Sequence, residues 1–132
     1  MQSVDCQIGL YHGAVGIDGD PYAPFSVSDM LQKNYDYWAL GHIHMRQTLN
    51  NQPFIGYSGV LQGLNRKEIG EKGYYLVTSK NHVLVPEFYD ISPIIWEELI
   101  LSEVSDELDL INQVLNYKHN KITFYQSKLQ QI

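Results

Sequence analysis

Cysteine is nearly absent: 132 residues hold one, Cys6, read from its neighbours as lying in an apolar setting. A single thiol excludes an internal disulfide and any cysteine-based zinc cluster. Basic residues are also scarce, with 9 Lys+Arg against 15 Asp+Glu and a formal charge of −6. Such a chain is no general electrostatic clamp for nucleic acid. It can still be a metal-dependent enzyme that reaches phosphate through bound cations. No apolar run approaches the roughly 20 residues that span a bilayer, so no membrane partner is expected. No basic-plus-apolar leader stands at Met1, and a cytoplasmic location is the expectation. Internal repeats and low-complexity tracts are missing as well.

The chain does carry 44% hydrophobic and 18% charged residues, ordinary for a globular protein and enough for one domain or part of a larger fold. "VDCQIGLY", residues 4–11, reads as a buried strand ending at His12. The glycine-rich "GAVGIDGDPYAPF" is a long loop, and loops of that length are often functional. "SVSDMLQKN" predicts a short helix capped by Ser26 or Ser28, with Val27, Met30 and Leu31 on one face. "YDYWALG" predicts a second buried strand. "RQTLNNQPFIGYSG" predicts a hairpin turning at Asn50-Asn51, and "KGYYLVTSKNHVLVPEFYD" another turning near Lys80-Asn81. Ser92-Pro93 punctuates the chain. Beyond it "IIWEELILSEVS" reads as a strand with an exposed face. "SDELDLINQVLNYKH" reads as a helix capped by Ser105, with an apolar stripe of Leu108, Ile111 and Leu115. Residues 120–132 carry no clear pattern.

Five histidines are present, and two of them, His42 and His44, stand one residue apart in "YWALGHIHMRQ". A lone histidine at a strand end is ordinarily packed and hydrogen-bonded. The pair is different. Gly41, just before it, lets the chain turn or approach an ion closely, and a turn there would splay the imidazoles toward two neighbouring cations. His12 likewise ends an apolar strand and is followed by a glycine, Gly13. If the two strands are neighbours, three imidazoles converge where open α/β sheets hold their ligands. His82, in a hairpin turn, and His119, at a helix end, read as structural. A complete centre also needs carboxylates. Asp5, Asp18, Asp20 and Asp36 are near in sequence, but none has ligand spacing.

"GLYHG", "DPYAPFSVSDMLQKNYDYWALGHIH" and "YSGVLQGLNRKEIGEKGYYLV" together resemble the calcineurin-like metallophosphoesterases. Within them the chain is most similar to the SbcD-like DNA repair exonucleases of the bacterial YhaO type. The resemblance implies an α/β fold, α+β within these residues: part of a two-sheet sandwich, strand-rich with few helices. It implies His12 and His42 as ligands of one metal and His44 as ligand of a second, with manganese the expected ion. Tyr57, Ser58 and Gly59 would shape the wall of the substrate site, Gly13 and Gly41 would be structural, and residues 70–73 a turn. The family's opening Asp-x-His, Gly-Asp and Gly-Asn-His motifs do not occur in the sequence. Residues 1–92 therefore resemble the C-terminal half of a nuclease domain, and residues 93–132 the start of a truncated DNA-binding cap. The parent's expected partners are DNA and an SbcC-like coiled-coil ATPase. These residues alone are expected to be inactive, to bind metal weakly, and to form a homo-oligomer that hides uncovered strands. Two rivals stand: another calcineurin-like phosphoesterase (a phosphatase or cyclic nucleotide phosphodiesterase), and a non-catalytic β-rich interaction module in which the imidazoles point apart.

Overall fold

The structure is a computed structural model and describes residues 5–16, 21–101 and 103–117, with the backbone alone for 122–129. Asp18, Asp20 and His119 lie outside the described residues. The elements run β1 (Ile8–His12), α1 (Val27–Leu31), β2 (Tyr37–Gly41), β3 (Gln47–Asn51), β4 (Phe54–Tyr57), β5 (Gly73–Lys80), β6 (Val83–Asp90), β7 (Ile94–Leu101), α2 (Glu107–Asn116) and β8 (Ile122–Leu129). The chain is strand-rich α+β, as expected, and forms two compact units. The first takes Met1–Leu61 and Lys72–Ile91, the second Gln62–Glu71 and Ser92–Ile132.

In the first unit a four-stranded sheet has the order β1-β2-β4-β3. β1 pairs parallel with β2, β2 parallel with β4, and β3 antiparallel with β4. Strand side chains alternate between faces, and both faces of β2 and β4 are apolar. Trp38, Leu40, Ile55 and Tyr57 form one buried cluster with Met30 of α1. Tyr37 and Phe54 form another with Leu84, against which Tyr75 and Val77 pack. The β5–β6 hairpin supplies those last three residues and turns at Asn81-His82, where both residues have positive φ. α1 begins at Ser26, whose hydroxyl accepts from the Asp29 N–H.

Three local expectations in the first unit need correction. β1 starts at Ile8, and Cys6 before it is exposed, not in an apolar setting. The β3–β4 hairpin turns at Gln52-Pro53, whose peptide is cis, while Asn50 and Asn51 lie within β3. The Asn50 side-chain amide donates to the Pro53 carbonyl at 2.6 Å, so its turn chemistry acts from the flank.

In the second unit β7 pairs parallel with β8. The side chain of Gln62 donates to the Ile94 carbonyl at 2.9 Å, Trp96 Nε1 donates to the Gly63 carbonyl at 3.0 Å, and Gly70 N donates to the Trp96 carbonyl at 2.9 Å. These bonds tie residues 62–71 to β7. The cap of α2 is Asp106, one residue after the expected Ser105. Asp106 Oδ1 accepts from Asp109 N at 2.8 Å, while Ser105 N donates to the Asp109 carboxylate at 2.9 Å. That bond, with one from Gln113, holds the Asp109 carboxyl below its usual range.

Candidate metal centre

The parallel pairing of β1 and β2 sets His12 opposite Gly41, so the last residue of one strand faces the last of its neighbour. His42 follows at once with φ 104, a backbone conformation costly for a residue with a side chain. That turn swings its imidazole back toward β1. The His12 and His42 rings lie 5.5 Å apart, edge to face. Gly41 is what leaves room for this pair. A Cβ there would stand 2.8 Å from His12 Nδ1, closer than side chains approach.

The loop after His12 is held from beneath. Tyr57, at the end of β4, has 0% of its surface exposed. Its hydroxyl donates to the Gly13 carbonyl at 2.8 Å and accepts from Val15 N at 3.0 Å. Burial, the largest cause, raises the Tyr57 pKa despite the opposing Val15 hydrogen bond, so the phenol stays protonated and keeps its donor. Tyr57 thus supports the strand end rather than facing solvent. The Tyr22 ring lies beside His42, centroid 4.9 Å away and tilted by 30°. Neither role is legible in the sequence, where the resemblance assigns Tyr57 to the wall of the substrate site and gives it no hydrogen-bonding partner.

His44 is two residues further on, exposed, in the segment before β3. Its carbonyl lies 2.7 Å from where a Cβ of Gly59 would be, and Gly59 has φ 79. Glycine is therefore required there on both counts, and Gly59 packs its backbone against the His44 segment. Ser58 and Gly59 are half-buried. His82 sits in the β5–β6 turn, at residues remote from the pair. Asp36 is at the start of β2, where its carboxylate accepts from Gln7 N at 2.7 Å, and Asp5 precedes β1. Both belong to the other end of the sheet from His12 and His42.

Among the described residues no group of three or more His, Cys, Asp or Glu side chains could hold a metal ion. The His12–His42 pair does fit two positions of one. Two imidazoles on one ion, each about 2 Å from it through nitrogen, put their ring centroids about 5 Å apart. The donors are those of a transition-metal centre, still short of its carboxylates. The sheet thus brings two imidazoles together at the ends of neighbouring parallel strands, a place where α/β sheets commonly hold ligands.

No protein-family model matches the chain. It is 45% identical over 94 residues to the uncharacterized metallophosphoesterase YhaO of Bacillus subtilis, covering 69% of this chain and 23% of that protein. It is 33% identical over 94 residues to the SbcD component of the SbcCD nuclease of Staphylococcus epidermidis, covering 67% of this chain and 25% of that one. The chain thus spans about a quarter of the length of these curated relatives. It belongs to the metallophosphoesterase family, as part of an SbcD-like domain.

Proposed function

We propose that this chain supplies the C-terminal strand ends of a two-metal phosphodiesterase that hydrolyses DNA in repair. The observation that carries the reading is the His12–His42 pair, 5.5 Å apart at the ends of parallel strands. The non-catalytic rival requires those imidazoles to point apart. The relatives support phosphoester chemistry, and the Staphylococcus epidermidis protein, a nuclease component, supports DNA as the substrate.

His12 and His42 hold one cation and His44 a second, with manganese the natural ion. The carboxylates and further ligands come from outside these residues. The ions, when bound, stabilise charge on the phosphodiester and make an attacking water more acidic. The chain's own residues do the positioning. Gly41 keeps the His12 imidazole free to face His42. Tyr57 ties the loop after His12 to β4, and Gly59 steadies the His44 segment. Residues 1–92 belong to the nuclease domain and 93–132 begin a DNA-binding cap. The assembly partner is an SbcC-like coiled-coil ATPase.

The test takes the chain with whatever coding sequence precedes Met1 in frame. Its product should hydrolyse DNA and the small diester bis(p-nitrophenyl) phosphate with added manganese, and a chelator should abolish both. His12→Ala and His42→Ala should each cost about 100-fold or more, the scale expected when a bound ion's charge stabilisation is lost. Undiminished turnover in both variants would overturn the reading. Hydrolysis of phosphomonoesters alone would replace it with a phosphatase.

A further inference from the structure

We infer that Arg46 is a substrate-positioning residue that grips a DNA phosphate a few nucleotides from the scissile one. The inference rests on the two-metal reading above. Tyr11, Leu40, Tyr57 and Gln47 form one row across the sheet. The next step toward the strand ends holds His12 and Gly41, and on the antiparallel strand it holds Arg46, just before Gln47. Arg46 therefore lies on the same rim of the sheet as the histidine pair, two strands from β2. At about 4.8 Å between neighbouring strands, its backbone is about 10 Å from that of Gly41 in β2 and one strand further from His12. One strand of DNA rises about 3.4 Å per phosphate, so the span matches a flanking phosphate, not the reacting one.

The guanidinium is also held in place. Its carbon sits 3.9 Å above the centre of the Phe88 ring. Phe88 in turn meets Tyr75 edge-on at 5.6 Å, Tyr75 meets Phe54 at 5.2 Å, and Phe54 stacks on Tyr37 at 5.1 Å. A chain of four rings, anchored in the buried Tyr37–Phe54 pair, thus ends in a cation. Gly59 packs beside Arg46 N on the other side, at 3.0 Å from its missing Cβ. Stacking covers one face of the guanidinium and leaves its N–H edge open, the edge that binds phosphate in a two-pronged manner. In an acidic chain with a formal charge of −6, Arg46 makes no ion pair with a carboxylate among the described residues. A guanidinium ordered by stacking, with no carboxylate partner among the described residues, is suited on the rim of a phosphodiesterase site to the substrate's own charge.

The experiment again uses the chain with its in-frame upstream sequence, and measures binding of a short DNA duplex against salt as well as hydrolysis. Arg46→Ala should raise KM for DNA about tenfold with a much smaller change in kcat, and lower the slope of log affinity against log salt by about 1. Turnover of bis(p-nitrophenyl) phosphate, which has no flanking phosphates, should fall far less than that of DNA. Arg46→Lys should restore the salt slope but only part of KM, because it keeps the charge and loses the planar edge. Phe88→Leu, which retains an apolar filler, should raise KM with an unchanged slope. An Arg46→Ala protein with unaltered DNA affinity and salt slope would overturn the inference, as would loss of thermal stability as its sole effect. That failure is separable from failure of the two-metal reading, which is decided by hydrolysis in His42→Ala.

Discussion

The two units of the chain use their apolar residues differently. In the first, β2 and β4 are sandwiched, with Ile55 and Tyr57 at 0% exposure and aromatic residues filling both faces of the sheet. In the second, α2 buries none of its residues, and its stripe of Leu108 and Leu115 is 67% and 69% exposed. The histidine pair belongs to the packed unit. Imidazoles must be held within a fraction of an ångström to share an ion, and only a core that fixes strand ends does so. The helix has the pattern of a packed element without the burial, so amphipathicity alone does not show what covers a face.

The sharpest way to break this contrast is substitution in each unit. Ile55→Ala in β4 should cost about 2–5 kcal/mol, because the cavity cannot collapse between two packed strands. Leu115→Ala in α2 should change stability by no more than about 0.5 kcal/mol. Chemical denaturation of both variants checks the pair, and equal effects would dissolve the contrast.

Alkaline pH should strike the packed unit next. Burial, with a smaller push from Tyr75, raises the Tyr37 pKa to about 12 from 10.0. Below about pH 10 the phenol is protonated whether the chain is folded or not. Between there and about 12 the unfolded chain ionises it while the folded chain resists, so stability falls with rising pH. The full loss is on the order of 2–3 kcal/mol. Unfolding followed against pH should show this decline, and Tyr37→Phe should make it shallower, leaving the part that the buried Tyr57 contributes.

Tyr57→Phe tests the clamp beneath His12. It removes the bonds to the Gly13 carbonyl and Val15 N–H and should cost about 1–3 kcal/mol. Its mark is a loosened loop: amide exchange at Val15 should accelerate more than exchange in β5–β6. Among the polar substitutions the smallest effect is that of Asp106→Ala, which should remove about 1 kcal/mol from α2, read as lost helical circular dichroism while the first unit's melting is unmoved.

The strands of the first unit were legible because their signals are local. "YWALG" is apolar on both faces, and "SKNH" has turn residues between two alternating runs. The misreadings have local causes as well. Asn50-Asn51 has the composition of a turn, yet Asn50 serves the adjacent turn through its side chain. Ser105 and Asp106 are both good caps, and the side chains divide the work, Ser105 bonding to Asp109 and Asp106 taking the cap itself. The attachment of residues 62–71 to β7 was not legible, since it depends on Gln62 and Trp96 bonding to backbone over 30 residues away. Of the site, the strand-His-Gly and Gly-His-x-His spacing was readable. The Tyr57 clamp and the Arg46–Phe88 stack were not, because each joins residues that only the folded sheet brings together.

The central claim is that His12 and His42 form one donor pair, and zinc titration of this chain followed by imidazole NMR tests it most directly. Neutral imidazoles favour zinc over manganese when carboxylates are missing, so zinc is the apt probe. The His12 and His42 signals should shift together along one weak binding curve, with His82 unmoved, and either His12→Ala or His42→Ala should abolish the response of the partner. Independent curves for His12 and His42, or a response at His42 that survives His12→Ala, would contradict the account.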